Sequence, residues 1–303
     1  MFFIFHSRDI NQATTYHVFP GIELIHNDFH TYRHQEVRLI HDRDIMVIHY
    51  CLKGRIEWEL NNGKYLFLGE GDLSVHGKGA GIRQVTFPLE HYHGIALTVD
   101  IKGVTTIKPM LASFGVDLQE LFDRLCGDDR IFIERADRTL ENIFTELYGI
   151  PEQIRKTYIK IKVLELLLFL SVINISRHTQ QQSYFKKSDI IKIKQIWLYL
   201  SEHIDSHITL NDLAERFSIS QTLLKACFKN VYGMPVYTFI RYYRMQKAAY
   251  LLSHTRDKIA DIALAVGYSN SSKFAAAFKD ELRLTPLEYR KKTRKEQFDD
   301  QME

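Results

Sequence analysis

Cysteine is scarce in this chain of 303 residues. Cys51, Cys126 and Cys227 are its three cysteines, far apart and with no CxxC. That excludes a disulfide frame or a zinc finger and suits reduced thiols in a cytoplasm. No P-loop, GxGxxG or HExxH occurs, so the chain reads as no enzyme and needs no cofactor. The opening MFFIFHSRD has no basic segment and too short an apolar run for a signal peptide. A long uncharged apolar run is missing too. The most apolar stretch, Ile159 to Ile175, contains Lys160, Lys162 and Glu165. It fits a buried or dimerising helix better than a membrane span, so the expectation is a cytoplasmic protein with no membrane partner.

Net charge is also small, at +3, but it is unevenly spread. Residues 1–185 hold 20 Lys+Arg against 23 Asp+Glu, and residues 186–303 hold 20 against 14. The basic part is where a phosphate-binding surface belongs. Length allows two ordinary domains, and 45% hydrophobic with 25% charged residues is the composition of a globular protein.

What is present begins with short alternating runs from about Tyr16 to Val99. Asp44 to Leu52 reads as a strand ending at Lys53-Gly54. Arg55 to Leu60 reads as the next, with Ile56, Trp58 and Leu60 on one face. Asn61-Asn62-Gly63 predicts a hairpin with a primed turn, followed by strands at KYLFL and LSVH. Strands at this spacing predict an antiparallel barrel or jelly roll that looks like a cupin. Ten of the 14 histidines precede residue 94. His91 and His93 share a strand face with Ile95, Leu97 and Val99, and that face is expected to look into a cavity. Trp58, His76, His91 and His93 are the candidate contacts for a small-molecule effector. The competing reading is a metal-binding cupin enzyme or metal sensor with an appended helical domain. Enzymatic cupins, however, place a Glu soon after HxH and a later His beyond a Pro-containing turn. Here the nearest acid after His93 is Asp100, and Ile82 stands at the later position; no metal ligands are assigned.

Helical periodicity follows in Leu111 to Leu125, Arg138 to Ile150 and Thr157 to Ser176. In the last, Val163, Leu164, Leu167, Leu168 and Val172 give more apolar surface than one packing face uses, which predicts a homodimer seam. Residues 177–189, polar and Gln-rich, read as a linker. The domains expected are a barrel at 1–105, a helical dimerisation region at 106–176, that linker, and a helical domain at 190–298.

The helical domain contains one pattern written twice. Thr209 to Lys229 and Lys258 to Lys279 align with Leu213-Ala214 over Ile262-Ala263, 49 residues on, and Phe228-Lys229 over Phe278-Lys279, 50 on. Each copy reads as two helices about a short turn at Ser218 or Gly267, and a long helix from Val236 to Ser253 joins them. Thr209 with Asp212 predicts a capping box, and Ser220 and Ser269 are the expected caps of the second helices. Gln221, Thr222, Lys225, Ala226 and Lys229 point outward in the first unit. Ser271, Ser272, Lys273, Ala276 and Lys279 do so in the second.

These residues resemble the AraC/XylS family of bacterial transcription regulators. LAERFSIS, LKACFKNVYGMP, Arg244-Met-Gln-Lys-Ala248, IADIALAVGYSN, KFAAAFK and TPLEYR occur in order at family spacing, over about a third of the chain. HYCLKGRIEWEL and YLFLGEGDLSV resemble its sensing region more loosely. The resemblance implies an α+β protein with a cupin-like β-barrel and dimerisation helices, then two helix-turn-helix units joined by a long helix. It also implies promoter double-stranded DNA, RNA polymerase, a small-molecule effector and a second copy of the chain as partners, with activation the more usual output. By family position Thr222, Lys225, Ala226, Ser272, Lys273 and Ala276 would meet base edges. Ala226 and Ala276 depart from the long polar residues usual there and could touch only a thymine methyl. Arg283 stands where a glycine is expected before the second Thr-Pro, so the local turn is expected to differ while the fold survives.

Overall fold

The computed structural model describes residues 11–30, 44–77, 80–173 and 185–299. The opening nonapeptide, Lys78 and Gly79, and residues 174–184, which hold most of the expected linker, lie outside that set. The chain divides into two compact units, one ending at Lys187 and the other beginning at Ser188. Among the described residues no helix is long and apolar enough to cross a membrane.

Among the described residues the first unit is built on nine antiparallel strands, β1 (Asn11–Phe19), β2 (Ile22–His30), β3 (Ile45–Leu60), β4 (Lys64–Gly69), β5 (Asp72–Gly77), β6 (Ile82–Thr86), β7 (His91–Asp100), β8 (Ile131–Arg135) and β9 (Phe185–Lys186). Strand β3 organises it. Lys53-Gly54 does not end a strand, as the sequence suggests, but lies inside one of 16 residues. Leu52 is an extra residue opposite β7, a bulge that bends the strand. Gly54 follows with φ +82°, and a Cβ there would fall 2.2 Å from the His91 carbonyl oxygen. Before the bulge β3 pairs with β5 and β7; just after it Lys53 and Gly54 still pair with β7, and from Arg55 on the strand pairs with β4 and β6. One strand therefore serves two sheet faces.

The hairpin at residues 61–63 exists, but its turn is not primed. Of its residues only Gly63 takes a positive φ (+74°), and its N–H donates to Leu60 O (2.9 Å). A three-residue loop closed by one left-handed glycine fits this geometry.

Helices α1 (Lys108–Ser113), α2 (Leu118–Cys126), α3 (Arg138–Tyr148) and α4 (Arg155–Ser171) cover one sheet face. The single helix expected over Leu111 to Leu125 is broken. Phe114-Gly115 ends α1, with Gly115 at φ +76°, and Asp117 caps α2 by accepting from Gln119 N and Glu120 N. Ile48, Leu97 and Val99 pack with Phe144, Val163 and Leu167 in one continuous core. A second core, with Ile56, Trp58, Leu68, Val85 and Tyr92, fills the opposite side between the strands. The three cysteines are buried free thiols.

Among its described residues the second unit is helical, with α5 (Lys187–Glu202), α6 (Leu210–Arg216), α7 (Gln221–Tyr232), α8 (Val236–His254), α9 (Ile259–Ala265), α10 (Ser271–Leu282) and α11 (Pro286–Asp299). Trp197 of α5 packs edge-on against Phe239 and Tyr243 of α8, at 4.7 and 4.5 Å between ring centroids. Met245, Ala248 and Leu252 on the same helix join Ile262, Phe274 and Phe278 in a further core.

Candidate nucleic-acid interface

Each repeat folds as a helix, a left-handed turn residue and a second helix. In the first, Thr209 accepts from Asp212 N (3.2 Å) while the Asp212 carboxylate accepts from Thr209 N (2.8 Å). This is the expected capping box, and it holds the Asp212 carboxyl below its ordinary pKa. Ser218 turns the chain at φ +48°, and Ile219 N then donates to Ala214 O (3.0 Å). The turn of the second repeat matches this one, with Gly267 at φ +81° and Tyr268 N donating to Ala263 O (2.9 Å), although Lys258 at the start of its first helix makes no side-chain cap. Small side chains at Ala214 and Ala263 fit these close passages.

Ser220 caps α7 through Leu223 N. For α10 the cap is Asn270 and not Ser269: its side chain accepts from Lys273 N (2.9 Å), three residues on, where a cap oxygen reaches. Arg283 corrects a further expectation. It takes φ +62° and ψ 4°, the left-handed end that Gly233 makes at +82° and −11°. The turn is therefore retained, with a Cβ in a conformation glycine adopts more easily.

Apolar residues of α7 and α10 are inside: Leu224, Cys227 and Phe228 in one, Phe274 and Phe278 in the other. Gln221, Thr222, Lys225, Ala226 and Lys229 are exposed on α7, and Ser271, Ser272, Lys273, Ala276 and Lys279 on α10. Gln221 also donates to Asn211 of α6 (3.2 Å).

Two cations of α8, Arg241 and Arg244, serve the scaffold. Arg241 pairs with Asp280 of α10. Arg244 donates to Ile204 O (2.8 Å) and Ser206 O (3.0 Å) beside the first repeat and reaches Gly267 O (3.5 Å) in the second. Partial burial lowers its pKa. Further on, Thr285 and Glu288 cap α11, and Arg290 donates to Asp257 O (2.8 Å). Side chains of Arg294 and Lys295 in the basic run lie outside the described residues.

Such paired, capped helix-turn-helix units match the family model described as a helix-turn-helix domain over residues 213–292. The chain is 30% identical over 123 residues to the HTH-type transcriptional activator RhaR of Mannheimia succiniciproducens, covering 41% of this chain and 45% of that protein. Residues 213–292 therefore carry an AraC-type helix-turn-helix domain. An uncharacterised HTH-type regulator of this kind, YdeC of Bacillus subtilis, is 29% identical over 120 residues, 40% of either chain. The C-terminal domain of the response regulator yesN from Fusobacterium nucleatum is 34% identical, with 32% of this chain and 95% of that one covered and a TM-score of 0.31. The chain spans less than half the length of the curated relatives it matches.

In the first unit the four candidate effector residues fall on opposite sides of the sheet. Trp58 and His76 lie inside, with ring centroids 5.4 Å apart. His91 and His93 do share the Ile95, Leu97 and Val99 face, but that face packs on the helices and does not look into the interior. Both residues are half-buried. His91 Nδ1 donates to Leu89 O (2.9 Å), and His93 Nδ1 lies 3.3 Å from Asp28 Oδ1. The inward direction expected for this pair is thus corrected: strand period two gives the shared face but not which side is the cavity.

His49 is the interior residue that sequence reasoning passed over. Its ring stacks on His76 at 5.4 Å and lies 5.6 Å from Trp58. The signal was its alternation with Cys51, hidden by the assumption that the strand stopped at Lys53. Burial depresses both imidazoles, to a pKa of about 3 for His49 and about 4 for His76. Among the described residues no group of three or more His, Cys, Asp or Glu side chains could hold a metal ion.

Proposed function

We propose that the chain is a sequence-specific DNA-binding transcription regulator, and an activator, whose helices α7 and α10 read promoter double-stranded DNA. The observation behind this is the repeat itself: two independently capped helices, each with an apolar face buried and a short, polar, lysine-bearing face exposed. A helix of that shape fits the major groove, where small residues permit close approach and lysines find guanine or phosphate. On α7 Thr222, Lys225 and Ala226 meet base edges. On α10 Ser272, Lys273 and Ala276 do, with more reliance on phosphate contact and DNA shape because Lys273 is the long donor there. The front unit holds a small-molecule effector and helix α4 joins two copies of the chain, while contact with RNA polymerase gives activation. The name of RhaR as an activator supports that output.

Replacing Lys225 with Ala is the test. Specific affinity should fall by about 1–3 kcal/mol while binding to random DNA changes far less. An equal loss on both would make Lys225 a backbone contact, and no loss on either would remove α7 from the interface.

A further inference from the structure

Gln221, the first residue of α7, is tied across to α6 by its side chain. Its amide is the last of three polar groups in series. Asn211 Nδ2 donates to Glu215 Oε1 (2.6 Å), one helical turn on, and Gln221 Nε2 donates to Asn211 Oδ1 (3.2 Å). Glu215 dictates the order. A carboxylate only accepts, so the Asn211 atom facing it must be the NH2, and the Asn211 carbonyl is left for the next residue. That carbonyl also only accepts, so Gln221 must turn its own NH2 toward it. What remains of Gln221 is Oε1 and the second Nε2 hydrogen, on an exposed side chain.

The second repeat shows that the fold does not need this series. Its counterparts there, at the same offsets of 49 and 50 residues, are Ala260, Leu264 and Ser271. Yet its helices pack about a matching turn. Asn211, Glu215 and Gln221 are all exposed, so water competes for their bonds and they add little to stability. Their effect is on orientation. A side chain already held in one rotamer, with its amide facing one way, loses less freedom when it meets a partner.

The identity of that partner follows from the groups left over. Recognition helices set their N-terminal residues against base edges, and Gln221 stands four residues before Lys225 on one face of α7. An acceptor beside a donor complements adenine, whose major-groove edge offers the N6 amino group and N7. Guanine offers two acceptors there, and thymine and cytosine one polar group each. A phosphate would use only the N–H and leave Oε1 against an anion.

We infer that Gln221 reads an adenine in the major groove, next to the position Lys225 meets, and that Asn211 and Glu215 are positioning residues that fix its amide. The inference rests on the proposed reading of α7 as a recognition helix. Discrimination of this kind belongs to the first repeat alone, because Ser271 has no amide to offer.

In the experiment the full chain selects from a duplex pool randomised over about 25 base pairs, room for two half-sites one helical turn apart. Affinities are then measured for the selected site with each base at each position. The unaltered chain should prefer adenine at one position by about tenfold or more. Gln221→Ala should erase that preference and keep the others. Asn211→Ala should cut it about threefold or more, and so should Glu215→Leu, which copies the second repeat. Tm and the preferences elsewhere should stay as they were, a pattern that a loosened fold would not give. An equal loss on all sequences in Gln221→Ala would make it a phosphate contact. An adenine preference intact in both Asn211→Ala and Glu215→Leu would remove the positioning series. Either result overturns the inference. Lys225→Ala separates it from the reading beneath it. If that variant changes a base preference and Gln221→Ala does not, α7 reads DNA without this glutamine. If neither changes any preference, the reading of α7 falls and the inference with it.

Discussion

Arg283 holds a backbone conformation that its counterpart Gly233 adopts without a Cβ clash. A left-handed non-glycine residue costs about 1–2 kcal/mol, and the extra freedom of an unfolded glycine returns part of that. Arg283→Gly should therefore stabilise the helical unit by up to about 1 kcal/mol in chemical denaturation, and Gly233→Ala should destabilise it by more than that. A destabilised Arg283→Gly would mean that the arginine side chain contributes more than its backbone strain removes. His49 and His76 give a second residue-scale expectation. Both are neutral when folded, with pKa values of about 3 and about 4, against about 6.5 in an unfolded chain. Below pH 6.5 the unfolded state takes up protons that the folded state refuses. Their contribution is thus fully present above pH 6.5 and is lost as pH falls toward 3. The double variant His49→Gln, His76→Gln should flatten the stability profile across that window; an unchanged slope would place the acid sensitivity elsewhere.

Among the elements, α8 does most to hold the helical unit together, through Arg244. Its guanidinium donates to carbonyls beside the first helix-turn-helix and reaches toward the turn of the second, and a Cβ at Gly267 would fall 2.7 Å from it. Arg244→Ala leaves those carbonyls short of donors. A loss of about 1–3 kcal/mol in stability should follow, with DNA affinity falling more for a site spanning both units than for a half-site. Equal affinity losses on the two sites would show that α8 does not set their spacing. The helical unit was legible in the sequence because its signals are local: Thr209 with Asp212, Ser220, and apolar residues recurring every three or four positions. The caps at Asn270 and Asp117 were less so, since adjacent capping residues, or a loop inside an apolar period, leave the choice to geometry. In the sheet, alternation gave the strand faces correctly. It could not show that Leu52 is a bulge inside one strand, or that five residues after α2 return to pair with β5 as strand β8. Those pairings depend on contacts distant in sequence, and with them went the place of His49.

At the scale of the whole molecule, the basic residues favour the half with α7 and α10. The other half carries an exposed apolar stripe on α4. Val163, Leu166, Leu167 and Leu170 of α4 are buried, whereas Ile161 is 56% and Val172 73% exposed, with Leu168 and Phe169 beside them. Residues 161, 168 and 172 recur on one helical face, which suits a second copy of the chain. Leu168→Glu with Val172→Glu should turn a dimer into a monomer in light scattering and weaken binding to a paired DNA site; a dimer that survives both changes would move the seam elsewhere. The central claim, that this is a promoter-binding regulator, is tested most directly by footprinting the full chain on DNA upstream of its own gene and of its neighbours, with cell extract added or withheld. Two protected major-groove segments about one helical turn apart, altered by extract and lost in the Lys225→Ala, Lys273→Ala double variant, are the predicted result. Protection that is indifferent to both lysines, or absent from those regions and from a genome-wide binding screen, would contradict it.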